Sequence, residues 1–112
     1  LPFHDVARRV SEREPAAAVQ LAFLEFMTPT LRTAGEALVA SGCTRVDVVP
    51  LFLGAGGHVR KDLPLLMQQM CDAHPDVAFT LHAVVGEVDS VVAAMADVAL
   101  HALAAAQPGL AP

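Results

Sequence analysis

Val46-Asp47-Val48-Val49-Pro50-Leu51-Phe52-Leu53-Gly54-Ala55-Gly56-Gly57-His58-Val59-Arg60-Lys61-Asp62-Leu63-Pro64 is the stretch on which the fold turns. Val46 to Leu53 is an apolar run of strand length, the pattern of a strand covered on both faces. Gly54, Gly56 and Gly57 make a loop, and Asp62 is placed to cap a helix running from Leu63 to about His74, which Pro75 ends. The same unit recurs on either side. Upstream, Ala18 to Leu24 reads as a buried strand closed by Glu25. Thr28 before Pro29 then reads as an N-cap, and the following helix carries Leu31, Ala34 and Leu38 on one face until Gly42 stops it. Downstream, Val77 to Val85 reads as a third strand and Gly86 as the turn into a last helix. That helix is expected to point Val91, Val92, Met95, Val98, Ala99, Ala102 and Leu103 inward, and Ser90, Ala94, Asp97 and His101 outward. At the amino end, Phe3, Val6, Ala7 and Val10 recur at helical spacing through about Arg13.

Alternating helices and strands predict an α/β domain over residues 1–106, a three-layer flavodoxin-like fold with a parallel sheet, followed by a disordered tail at 107–112. Such a fold normally opens on a strand, whereas Leu1 leads directly into a helix. A first strand is therefore expected outside these residues, supplied by an upstream segment or a partner chain.

Composition narrows the function. A chain of 112 residues has room for one core, and 54% hydrophobic residues are enough to build it. A net charge of −5 has the wrong sign for a nucleic-acid backbone. No apolar run reaches the roughly 18 residues of a membrane span, and no signal peptide is evident. Cys43 and Cys71 form no Cys-x-x-Cys pair, so neither a disulfide framework nor a zinc knuckle is indicated, and a cytoplasmic location is expected.

In an open parallel sheet, ligands bind beyond the carboxyl ends of the strands. Glu25 and the loop holding His58 both point to that rim. The glycines do not match a dinucleotide fingerprint, which would need glycine where Val59 stands, and there is no Gly-Lys-Ser/Thr. They do allow backbone to approach a flat or bulky ligand closely. Imidazole and carboxylate together can bind a divalent ion transiently, being too few for a structural zinc site.

The stretch from Val48 to Pro64, with Leu21-Ala22-Phe23-Leu24-Glu25, resembles the small class II tetrapyrrole chelatases of the CbiX and SirB group, which insert cobalt or iron into sirohydrochlorin. The resemblance implies that His58 is the family's second active-site histidine and Glu25 its acidic metal-site residue, both catalytic and metal-handling. The family's first active-site histidine lies in a His-Gly turn after the first strand, the strand not found here, and His4 lies in the first helix instead. On this reading Arg60 and Lys61 pair with substrate carboxylates, Phe52 and Leu53 line an apolar wall, and Gly56 and Gly57 let the macrocycle approach. The resemblance further implies a homodimer, no organic cofactor, and Co²⁺ ahead of Fe²⁺ as the metal substrate. A non-enzymatic metal or tetrapyrrole carrier is the alternative. His74 and His101 are read as helix-surface residues, and His82, near the carboxyl end of the third strand, as a hydrogen-bonded sheet histidine, with a place at the pocket edge as the alternative. Met67, Met70 and Met95 are read as packing, and Asp62 as an N-cap.

Overall fold

A two-stranded parallel ladder organises the chain in the computed structural model, which describes residues 2–24, 26–54 and 56–106, the side chains of His58 and Ala106 excepted. The elements are α1 (Pro2–Arg13), α2 (Leu31–Ala40), β1 (Arg45–Val48), α3 (Gly57–Ala73), β2 (Ala78–Leu81), a 3-10 turn at Val85–Glu87, and α4 (Asp89–Ala106). β1 and β2 run in register from Arg45 opposite Ala78 to Val48 opposite Leu81. A crossover through α3 joins them, as parallel pairing requires.

The two sheet faces differ. Val46 is buried, and its face holds Val48, Phe79 and Leu81 toward the α2–α3 layer, where Ala34, Leu63, Met67 and Met70 are also buried. Each of the larger side chains contributes about 1.5–3 kcal/mol by leaving water. The other face carries Arg45, Asp47, Thr80 and His82, all exposed. The expectation of a strand buried on both faces is corrected here. Asp47 binds Arg45 Nε at 3.0 Å and accepts from His82 Nε2 at 2.8 Å, so this face is held together by polar contacts.

Ala18–Leu24 forms no ladder strand, contrary to the sequence expectation. Its described contact is a bridge from Phe23 to Thr30, with the Phe23 N–H donating to Pro29 O at 2.9 Å, while Leu21 to Leu24 are half-buried. A run of strand composition becomes a strand only where a neighbour shares its ladder bonds, and the described bridge of this segment goes to Thr30 and not to β1.

Helix ends also move. α2 is capped by Thr30, not Thr28, its hydroxyl accepting from the Thr33 N–H at 3.2 Å. Gly42, at φ 99°, is the expected left-handed stop. α3 starts at Gly57 with Gly56 as cap, so Asp62 lies inside the helix instead of capping it, and Pro64 sits in the helix interior. α1 buries no residue; Arg8 bridges Asp5 and Glu12 along its surface. On α4, Val92, Met95, Val98 and Leu103 are exposed, not inward, and the helix packs against the 3-10 turn. The radius of gyration is 17.4 Å, against about 13 Å for a compact chain of this size. The expected tail at 107–112 lies outside the described residues.

Candidate active site

The carboxyl ends of β1 and β2 stay joined beyond the ladder. The His82 N–H donates to Val48 O at 2.9 Å, Val85 N–H to Pro50 O at 3.0 Å, and Gly86 N–H to Phe52 O at 2.8 Å. Pro50 to Leu53 therefore leave the sheet as a tethered arm that delivers the glycine-rich loop to the start of α3. The Arg60 N–H donates to Gly56 O at 3.0 Å, which closes the first turn of that helix. His58 lies in this turn, so its backbone stands at the strand-end rim where open parallel sheets bind ligands. Its side chain, and Glu25 altogether, lie outside the described residues.

Other predicted site residues can be placed. Phe52 is half-buried and its carbonyl is taken by Gly86, whereas Leu53 is 74% exposed and presents an apolar side chain at the rim. Gly56 and Gly57 are exposed, and a Cβ added at either meets nothing within 4 Å among the described residues. Arg60 and Lys61 are exposed on the early turns of α3, with an Arg60 amino group 3.7 Å from Glu87. Arg60 also edges a shallow hollow of about 130 Å³, walled by Pro50, Val59, Leu63, Pro64 and Leu81, between α3 and the strand ends. Phe26, beside Glu25, is fully exposed at φ 63°, a left-handed conformation uncommon for a bulky side chain.

Three other histidines have local partners, and one of them, His82, also lines the hollow. His74 Nε2 meets Glu36 Oε2 at 2.6 Å and ties the end of α3 to α2. His82 is the hydrogen-bonded sheet histidine that was expected. That contact, with Arg45 next, holds the Asp47 carboxyl below its ordinary range. His101 Nδ1 donates to Asp97 O at 2.7 Å on exposed helix surface. Among the described residues, no three His, Cys, Asp or Glu side chains gather as a metal site. Sequence reasoning treated Gly86 only as a turn and missed its tie to Phe52. Its place beside an apolar strand end, aligned with the end of the preceding strand, was the available signal.

The helix-covered parallel sheet with a glycine loop at its strand ends defines an α/β protein with a rim site. A profile of the CbiX family matches residues 2–102, and the chain belongs to that family. It is 35% identical over 69 residues to a sirohydrochlorin cobaltochelatase of Methanocaldococcus jannaschii, covering 62% of this chain and 48% of the relative. With a sirohydrochlorin ferrochelatase of Bacillus subtilis it shares 33% identity over 76 residues, covering 68% of this chain and 29% of the relative. The chain thus spans about half or less of the length of these curated relatives. Among solved structures, a CbiX protein from Marinobacter aquaeolei VT8 aligns with TM-score 0.72 and 26% identity, over 95% of this chain and 87% of that one. SirB from Bacillus subtilis with Fe³⁺ aligns with TM-score 0.63 and 27% identity, over 86% of this chain and 39% of that one.

Proposed function

We propose that the protein is a sirohydrochlorin chelatase, inserting a divalent metal ion into the tetrapyrrole with Co²⁺ favoured over Fe²⁺. The observation that carries this reading is the CbiX match across residues 2–102, with the stretch from Val48 to Pro64 at the strand-end rim. The reaction exchanges one M²⁺ for two pyrrole protons, so it needs a proton acceptor and a ligand that releases the ion. His58 fills the first role and shares the second with Glu25, whose negative charge draws in the hydrated cation. The metal is a substrate, and the exchange needs no organic cofactor.

The rim suits a carboxylate-rich macrocycle. Gly56 gives α3 no side-chain cap, so the helix presents its first N–H groups and positive end to anions. Arg60 and Lys61 add exposed positive charge there, offsetting the overall −5. Leu53 and Phe52 offer apolar surface to the ring, and Gly56 and Gly57 keep the approach open. We further read the protein as a cytoplasmic homodimer.

The test mixes the protein with sirohydrochlorin and Co²⁺ and follows the absorbance change of metal insertion. Multiple turnovers by the wild type are expected, with His58→Ala reduced by about 10²-fold or more, the scale of a lost acid–base group. Equal rates for the two would remove His58 from the mechanism. A single stoichiometric binding event without turnover would favour the carrier reading.

A further inference from the structure

We propose that Gly86 is a positioning residue for the loop that carries His58, an inference that rests on the chelatase reading of that loop. A Cβ built on Gly86 would lie 1.9 Å from Leu53 O and 2.4 Å from both Leu53 C and Cα. These are backbone atoms, so no side-chain rotation relieves the clash. Gly86 is buried, and its N–H holds Phe52 O at 2.8 Å while Val85 holds Pro50 O at 3.0 Å. The two segments are clasped where the arm from β1 turns into the glycine loop, and only glycine permits the approach.

The contrast with the loop's own glycines is informative. A Cβ at Gly54, Gly56 or Gly57 meets nothing within 4 Å among the described residues, so their packing does not demand glycine there. It demands glycine across the seam, at Gly86. Alanine at Gly86 must open the 1.9 Å contact beyond 3.0 Å, a displacement of about 1 Å at Leu53. A misplacement of about 1 Å at a reacting group can cost about 10²-fold in rate.

The experiment compares Gly86→Ala, Val85→Pro and Gly42→Ala with the wild type. Val85→Pro deletes only the N–H that holds Pro50 O; the 3-10 backbone suits proline, and Val84 at φ −58°, ψ 130° suits a residue before it. Gly42→Ala is the stability control, strained at φ 99° and remote from the rim. Two readouts are taken: amide hydrogen exchange over residues 50–60, and kcat and KM for Co²⁺ insertion. Gly86→Ala is expected to speed exchange over 50–60 and to lower kcat about 10- to 100-fold with little change in KM. Val85→Pro should do the same to a smaller degree, while Gly42→Ala lowers Tm but leaves kcat and exchange over 50–60 intact. Wild-type exchange over 50–60 in folded Gly86→Ala, or kcat within twofold, overturns the proposal. If Gly86→Ala fails to fold, unaltered exchange and kcat in Val85→Pro overturn it. A wild type that inserts no metal, with exchange still faster in the variants, defeats the chelatase reading and the positioning role with it, leaving the clasp as a purely structural contact.

Discussion

Met70→Ala tests the packing that anchors α3, and through it the loop at its start. Met70 is 1% exposed and lies in the seam between α2 and α3, where its Sδ would stand 3.0 Å from a Cβ on Gly35. Removing a buried methionine costs about 2–5 kcal/mol, depending on how far neighbours close the cavity. Among the described residues few side chains are buried in the core, Ala34, Val46, Leu63 and Met67 beside Met70, so neighbours can close part of the cavity and the expected loss is about 2–3 kcal/mol. In urea, with a slope of about 1–3 kcal/mol/M, the midpoint should fall by roughly 0.7–3 M without a change in slope. Gly35→Ala sharpens the test. In a helix interior, alanine gains up to about 1 kcal/mol over glycine, but beside Met70 the 3.0 Å contact offsets that gain. With Met70 already alanine the sulfur is gone and the gain should appear, a coupling of about 0.5–1 kcal/mol in a double-mutant cycle. Additive effects of the two substitutions, or a Met70→Ala loss below about 1 kcal/mol, would refute the packing argument.

Asp47→Asn should lower Tm at neutral pH by weakening the contacts to His82 and Arg45. The Asp47 pKa is lowered from its ordinary 3.8, so its contribution is full above that value and is lost as pH falls through the depressed one. Tm profiles of variant and wild type should therefore converge below about pH 4, and a constant gap down to pH 2 would contradict the assignment. Arg60→Met should raise KM for sirohydrochlorin about three- to tenfold with kcat preserved. That difference should shrink as salt rises, because the side chain is exposed; a salt-independent effect would point to lost packing around the hollow that Arg60 edges.

Local chemistry was readable where a residue's role depends on its neighbours in sequence. Gly42 stops α2, Pro75 follows the end of α3, and Met67 and Met70 repeat at helical spacing into the buried seam. The failures fall where the answer depends on a partner. Ala18–Leu24 has the composition of a buried strand, but a strand exists only through its ladder, and the described bridge of this segment goes to Thr30 and not to β1. Apolar spacing on α4 says which face wants cover and not whether cover is present, and Val92, Met95 and Val98 remain exposed. Asp47 was absorbed into an apolar run because its stabilising partner, His82, lies on another strand.

The site divides along the same line. Three glycines near His58 suggested a loop through position 61, with Asp62 as the cap. Gly56 instead takes an extended conformation at φ −69°, ψ 165° and caps the helix itself, drawing His58 into the first turn. That shift matters chemically, because a residue in a helical turn has a defined backbone position while one at a loop tip does not. The position is inherited from the arm Pro50–Leu53, and the arm is held by Val85 and Gly86. The glycine on which the loop's placement depends is therefore not one of the three conspicuous in the motif but Gly86, in the 3-10 turn after β2, whose backbone abuts Leu53 just before them.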